Sequence, residues 1–550
     1  MRKIPEGRLI TQACSDLKAD DYTAIDLYDE VAAYFSPEKE TLLEVTEGSE
    51  ILQPITSTGI NASQKLQSGL YSNSMAMGKG DLEDASEELM KLPMVSEWYA
   101  KLSNITHHHI AQSKFPQKFF EWLGDYVPFG AGVMYLQFNP TSQRHEFKVY
   151  PVGKTHWLFD SEDNLSEVYR EYVYSADQCV QKFGYDKSPA VVRKAWDTED
   201  KKTKFDFIHC MKLNRDYSPE STHFSKMKYA SIHVHDQTGK ICKKSGSKHM
   251  RYIIERFYEK HGERNGRSPA MQCLPVIRTL MKTISDYIDG TELAVGPPMW
   301  LSDRDAVESA VLEAFGVNYA DLSKGDPWMY KIDANALKLS AEFITWLKEE
   351  INQLFFVDLF AMLEQVKSGA KTAYEVQQLV AERTQAIAPI ANSLSNFFRR
   401  VYFLTAQDLI DSNQIPPAPA DLSGSEMQAT YTSRLDVRLN EIENVSMMEA
   451  IEQAVGLVAA VNESPETRAV VKTLPALIAI FKSHNVDPES IRNLDDAETE
   501  LENILKAAED AKQAEMVAQG MKPVDTMAAP EDGSIAGNMI EDSAGGMVGL

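Results

Sequence analysis

Between Leu337 and Ile410 the apolar residues recur at helical spacing in two segments, joined by the polar turn Lys367-Ser368-Gly369-Ala370-Lys371. In the first, Phe343, Trp346, Leu347, Ile351, Leu354 and Phe355 return at intervals of three and four, which predicts one buried helical face. In the second, Val376, Leu379, Val380, Ile387, Ile390, Leu394, Phe397, Val401 and Leu404 do the same across roughly 35 residues, or about 50 Å of helix. Pro389 lies inside that run, where its missing donor and its ring predict a kink. A long kinked helix entered through a Gly-centred turn suits either the organising element of an assembly or a helical hairpin in a large core.

Elsewhere the period changes with position. Residues 1–50 read as polar helices, with Asp20-Asp21 and Ser36-Pro37 as helix starts. Thr56-Ser57-Thr58-Gly59 leads into a further helix, and residues 81–127 read as helical throughout. After Pro128-Phe129-Gly130-Ala131-Gly132 the pattern shortens to β-branched and aromatic runs: Val133 to Phe138, Glu146 to Tyr150, Trp157 to Asp160 and Val168 to Tyr174. Turn residues separate these runs, so a mostly antiparallel sheet is predicted. Residues 175–196 return to helix. Phe205 to Leu213, Tyr229 to His235 and Tyr252 to Tyr258 are further strands, with Gln237-Thr238-Gly239 as a hairpin turn.

Ser268-Pro269 is a helix-start phrase, a cap followed by proline at the first helical position. The segment it opens runs to about Leu293; Pro275 predicts irregular first turns and Pro297-Pro298 a stop. Residues 299–336 form a compact insertion of a few strands and a short helix. Beyond the proline-rich break at Ile415 to Pro419, one more strand is predicted from Ala429 to Val437 and helices from Ser446 to Ala518. The last thirty residues, rich in Gly, Ala and Met, read as a mobile tail.

Composition narrows the class. With 43% hydrophobic and 25% charged residues, 550 positions suffice for three or four folded units. No apolar run reaches the 18 or so residues of a membrane span, and the basic start Met1-Arg2-Lys3 has no apolar signal core behind it. These features place the protein in a cytoplasm-like compartment. Cys14, Cys179, Cys210, Cys242 and Cys273 are scattered and odd in number, so buried reduced thiols are predicted. The net charge is −25, and the stretch from Asp421 to Leu550, with 24 acidic against 9 basic residues, carries −15 of it. A stationary nucleic-acid binder would carry the opposite sign on a large face. The basic clusters Lys201-Lys202-Thr203-Lys204 and Lys240 to Arg251 read first as solvated loops.

Catalytic signatures are absent from the pattern. Gly153-Lys154-Thr155 ends like a phosphate loop, but Lys148 stands where that loop needs glycine. His107-His108-His109 lies on a predicted helix, where adjacent side chains diverge, and the strand pair His233 and His235 lacks a third ligand. Neither a metal nor another cofactor is expected, and a structural or binding role is favoured over an enzyme.

Several stretches together resemble the portal, or head-to-tail connecting, proteins of short-tailed bacteriophages. They are Ser57-Thr58-Gly59 with Leu66 to Leu70, Phe119 to Tyr135 with its Phe129-Gly130-x-Gly132 turn, and Trp157 to Gly184. Gly266-Arg267-Ser268-Pro269-Ala270-Met271 leading to Leu274-Pro275, Thr372-Ala373-Tyr374-Glu375-Val376, and Val470 to Glu500 complete the set. The resemblance spans about residues 20–515, and the order and intervals of the phrases are more telling than any single one.

The resemblance implies an α+β, mainly helical portal fold of wing, stem, clip and crown, assembled as a dodecameric ring around a central channel. By position, residues 1–265 are the N-terminal part of the wing, 266–293 stem helix 1, 294–339 the clip and 340–366 stem helix 2. Residues 367–373 become the tunnel loop, 374–440 the kinked long helix with the C-terminal part of the wing, 441–518 the crown and 519–550 a flexible tail. Lys367, Ser368, Gly369, Ala370 and Lys371 would face DNA; Trp300, Asp303, Arg304 and Trp328 would serve the clip, where motor and adaptor dock. The implied partners are other copies of the chain, capsid protein, the terminase large subunit, tail adaptor and nozzle proteins, and double-stranded DNA passing through; no membrane is implied. The implied location is one capsid vertex of the virion, after assembly in the host cytoplasm. Alternatives are a monomeric or differently assembled tail or adaptor protein and, less favoured, a packaging ATPase or nuclease.

Overall fold

The computed structural model describes residues 5–39, 55–75, 79–90, 92–218, 223–302, 313–320, 334–360, 373–419, 422 and 427–432. All belong to the first of two units, Met1–Asp436; the second, Val437–Leu550, lies outside the described residues together with the helices expected there.

Helices α1 (Glu6–Asp20) and α2 (Tyr22–Phe35) meet at Asp21. As anticipated, α2 begins after that aspartate, but the carboxylate does not cap the helix. It accepts instead from His156 Nδ1 at 2.7 Å, Asn265 Nδ2 at 3.0 Å and the Arg264 guanidinium. Ser36-Pro37 opens only a single 3₁₀ turn, Pro37–Lys39. Helix α3 (Thr58–Met75) follows the Ser/Thr/Gly entry as expected.

The reading of residues 81–127 as helix needs correction at its start. Lys79–Asp84 is a strand, β1, and only then come α4 (Glu87–Met90), α5 (Pro93–Gln112) and α6 (Phe115–Phe129). Its partner lies almost 350 residues away, where no local period reaches.

The strands after α6 fall where alternation placed them: β2 (Ala131–Asn139), β3 (Arg144–Tyr150), β4 (Thr155–Phe159) and β5 (Leu165–Ser175). Helices α7 (Ala176–Phe183) and α8 (Ala190–Asp197) intervene before β6 (Lys204–Leu213) and β7 (Tyr229–His235). Lys240–Ser247, read from sequence as a solvated basic loop, is strand β8, the edge of the sheet; β9 (Tyr252–Arg256) follows. An edge strand tolerates lysines because one of its sides has no neighbour, which is also a guard against edge pairing.

Strands β4 to β8 form an antiparallel five-stranded sheet in chain order, and β3-β2-β9 an antiparallel three-stranded sheet. Period-two alternation divides the larger sheet into two faces. Tyr169, Ile208, Cys210, Ile232 and Val234 pack beneath Ile10, Cys14 and Leu17 of α1. The opposite face meets α7 and α8 through Phe207, Phe183 and Val192, and meets the smaller sheet through Tyr252.

Helix α9 (Pro269–Val295) starts as predicted, with Ser268 Oγ accepting from the Met271 backbone N–H at 3.0 Å. Its first turns are nevertheless helical through Pro275. The insertion supplies two short strands, β10 (Met299–Ser302) and β11 (Val317–Ala320), paired in parallel. Helix α10 spans Ala334–Leu354; the chain then turns at Phe355 and Phe356, the latter at a φ of 53°, so the expected first segment does not continue as one helix.

Helix α11 (Ala373–Asp411) is longer than foreseen and contains Pro389. Its stripe Ile387, Ile390, Leu394, Phe397, Val401 and Leu404 is fully buried, as its period required. Phe397 stacks on Trp122 of α6 at 4.3 Å and Phe398 lies 4.8 Å from Phe119, forming the aromatic centre of the unit. Finally β12 (Met427–Thr432) pairs with β1, from Lys79 opposite Thr432 to Asp84 opposite Met427. The strand therefore starts earlier than Ala429; residues 433–437 of the expectation lie outside the described residues.

Candidate functional site

Among the described residues, the antiparallel hairpin of α9 and α10 leaves a run of large apolar side chains exposed. Residues 270, 277, 288 and 295 are seven and eleven positions apart, intervals that return nearly the same azimuth on a helix. Ala270 and Ile277 are buried, whereas Ile288 and Val295 on the same line are exposed. One apolar stripe thus begins in the core and continues uncovered along the outer half of α9.

Helix α10 mirrors this. Leu347 and Ile351 are buried, and Phe355 stacks on Phe35 at 5.3 Å. Phe343 and Trp346, expected on that same buried face, are 43% and 53% exposed. The correction has a geometric cause. Leu339, Phe343 and Trp346 lie on a line rotated away from Leu347 and Ile351, and their rings stack on each other at 5.6 Å instead of on a core.

At the tip, Met299 pairs with Val317 and Leu301 with Tyr319, and all four are exposed. Phe315, with a φ of 59°, is 69% exposed beside a cleft of about 600 Å³ lined by Tyr287, Ile288, Val295 and Ala314. A two-stranded ribbon is marginal alone. Large apolar side chains left exposed side by side mark a surface that another molecule covers.

The root of the hairpin is fixed by two phrases far apart in sequence. Gly130 caps α6 with a φ of 76°, and a Cβ there would stand 2.7 Å from the Arg267 carbonyl carbon. Phe257 donates its backbone N–H to Gly130 at 2.9 Å, while Ser268 Oγ donates to the Pro128 carbonyl at 2.6 Å. The Trp122 ring lies 2.4 Å from where a Cβ on Gly132 would be. The Phe129-Gly130-x-Gly132 turn and the Gly266-Arg267-Ser268-Pro269 phrase are therefore two halves of one joint. Asp21 braces it from the other side through Arg264 and Asn265. Burial pushes that carboxyl upward, but the His156 and Arg264 donors outweigh it and hold it below the ordinary range.

Trp300 lies in β10 opposite Asn318. Asp303, Arg304, Trp328 and the whole turn Lys367, Ser368, Gly369, Ala370 and Lys371 fall outside the described residues.

The histidines pointed at by sequence have separate partners. His107 Nδ1 shares a hydrogen bond with the Tyr402 hydroxyl at 2.8 Å, His108 with Gln112 at 2.7 Å, and His109 stands edge-on to His145. His235 Nδ1 is paired with Thr238 Oγ1 and His233 Nδ1 with the Tyr172 hydroxyl, each at 2.8 Å. Among the described residues no group of three ligands suited to a metal is found. All five cysteines are buried and free, as their spacing predicted. Burial pushes the Cys273 thiol up to about 12, with Glu350 adding to the shift. No described helix is long and apolar enough to cross a membrane.

A family model described as the bacteriophage head to tail connecting protein matches residues 8–491. The chain belongs to that family. It is similar to a probable portal protein of Bordetella phage BPP-1, 22% identical over 392 residues, which cover 69% of this chain and 70% of the relative. The portal protein of Salmonella phage epsilon15 is 22% identical over 483 residues, covering 84% and 85%. The connector family match includes both halves of the glycine joint, the α9–α10 hairpin and α11. Sequence reasoning found the joint's phrases but not that they touch. The only signal for that contact was glycine at positions 130, 132 and 266, where two backbones or a backbone and an indole approach too closely for a side chain.

Proposed function

We propose that this connector is a portal subunit, twelve copies of which form a ring at one capsid vertex of the virion, with a central channel through which DNA is packaged and ejected. The uncovered apolar residues of α9 and α10 carry this reading: Ile288 and Val295 on one helix and Leu339, Phe343 and Trp346 on the other are all exposed. Apolar surface left uncovered on one copy suits burial against the next, and a head-to-tail contact between copies closes into a ring when its rotation permits. The likeness to two phage portal proteins supports the same reading.

In this proposal α9 and α10 are the stem, the β10–β11 segment belongs to the clip, the sheets with α1 to α8 and α11 form the wing, and residues 441–518 the crown. The terminase large subunit docks on the clip during packaging, and adaptor and nozzle proteins replace it. Trp300, Asp303, Arg304 and Trp328 are the proposed contacts. Capsid protein surrounds the ring. A net charge of −25 suits a channel that must let duplex DNA slide, since every phosphate neutralised adds a hold on it. Lys367 and Lys371 are the proposed exceptions, making transient phosphate contacts from the tunnel loop. The role is structural and not catalytic.

Native mass spectrometry with negative-stain imaging tests this. Rings near twelve times 61.7 kDa with a central hole support the portal reading. A stable monomer or dimer across concentration and salt overturns it and favours a tail or adaptor protein that makes no channel.

A further inference from the structure

The sheet face opposite α1 carries basic residues in one cross-strand row. Arg170 of β5 is opposite His209 of β6, His209 opposite His233 of β7, and His233 opposite Lys243 of β8. The Arg170 guanidinium lies between two rings, 3.9 Å from the centroid of Tyr150 and 4.5 Å from that of Tyr172. Arg170 is only 9% exposed, and among the described residues its side chain makes one hydrogen bond, from Nε to the Tyr252 hydroxyl at 3.4 Å, and no ion pair. Lys182 of α7 reaches over the same Tyr172 ring and donates to the Tyr174 hydroxyl at 2.6 Å.

Among the described residues no carboxylate pairs with Arg170, Lys182 or Lys243. The charges that reach Lys182 are those of Arg170, Lys148 and Lys243, and those that reach His233 are Lys182, Arg170 and Lys243. Burial first, then this repulsion, holds Lys182 down to about 8. Glu146, on the neighbouring β3, is already bound to Lys148 at 3.1 Å and Asn139 at 2.8 Å. Tyrosine faces offset part of the cost of withdrawing a guanidinium from water, but a buried charge is ordinarily matched by an opposite one. A fork of unused guanidinium donors with two lysines at its rim is the arrangement that binds a multiply charged oxyanion. His233 Nδ1 shares a hydrogen bond with the Tyr172 hydroxyl at 2.8 Å, which leaves its Nε2 without a hydrogen-bond partner among the described residues.

We propose that Arg170, Lys182, Lys243 and His233 form a binding site for a phosphoryl oxyanion, contributed either by free phosphate or by a nucleic-acid backbone. Carboxylates are the weaker fit, since a single negative charge would leave most of the cluster unbalanced. The site is independent of the hairpin surface and of ring formation.

The test is thermal unfolding of the full chain in phosphate against chloride at matched ionic strength, with Lys182→Gln/Lys243→Gln beside a Lys201→Gln/Lys202→Gln control. Both lysines of the tested pair lie at the surface, and far-ultraviolet circular dichroism of that variant checks that its fold is kept once the Lys182–Tyr174 contact is gone. The expected result is a rise of roughly 2 °C or more in the parent and control that is lost in the tested pair. An equal rise in all three, which is what general salting by phosphate produces, overturns the site, and so does no rise in the parent. Displacement of bound radiolabelled phosphate by a short DNA duplex assigns the oxyanion to a nucleic-acid backbone, and retention of the label assigns it to free phosphate.

Discussion

The imidazole rings of His209 and His233, on adjacent strands, stack with centroids 4.3 Å apart and planes 12° from parallel. Both are buried, and burial is the largest reason that each titrates far below the ordinary histidine range, His233 at about 2. His145 and His249 are depressed to about 4 by the same cause.

An acid-sensitive stability follows. Below pH 6.5 the unfolded chain binds protons that these folded histidines refuse, so their contribution is complete above that pH and shrinks as pH falls towards the folded values. Each steepens the loss by up to about 1.4 kcal/mol per pH unit. Asp125 and Asp408, raised by burial, act in the opposite direction at lower pH. Urea unfolding between pH 7.5 and 5 is expected to show falling stability, with a shallower slope in His233→Gln. An unchanged slope in that variant removes His233 from the account.

Asp21→Ala should cost about 3 kcal/mol, because it leaves the buried His156 and the half-buried Arg264 and Asn265 around a missing acceptor. Asp21→Asn, which keeps an acceptor but loses the charge, should fall between it and the parent in chemical denaturation.

The glycine joint predicts a steep size dependence. Gly132→Ala drives a methyl group into Trp122, and Gly266→Ala drives one into the Gly130 carbonyl oxygen, 1.9 Å from the Cβ position. The indole has some room to move and the backbone has less. Gly132→Ala should cost about 1–3 kcal/mol and Gly266→Ala more. A loss of soluble expression for Gly266→Ala with near-normal Gly132→Ala fits this order; the reverse does not.

Phe343→Ser with Trp346→Ser removes exposed rings that touch no core, so the folded unit should keep its far-ultraviolet circular dichroism and melting temperature at low concentration. Ring formation is the property expected to fall, by tenfold or more in the concentration required if these rings anchor the contact. Sedimentation velocity on parent and variant measures it.

Periodicity located the strands from β2 to β7 and the buried stripe of α11, and the Ser268-Pro269 cap located the start of α9, because each is set by neighbours a few residues away; the free, buried cysteines were legible from their odd number and wide spacing. Alternation of Tyr169 to Tyr174 and of Ile208 to Met211 is enough to give a strand its two faces. Lys79–Asp84 has no such pattern: its β-structure comes from pairing with Met427–Thr432, and only the folded chain brings them together. Lys240–Ser247 reads as loop for the same reason, since its strand character is supplied by β7. The exposure of Phe343 and Trp346 was also beyond the sequence, which marks a helical face as apolar without stating what covers it. Contact between Gly130 and Gly266, the unbalanced charge on Arg170 and the outward turn of the hairpin's apolar stripe were all decided by tertiary structure. They depend on distances between segments that the hydrophobic period of neither segment encodes.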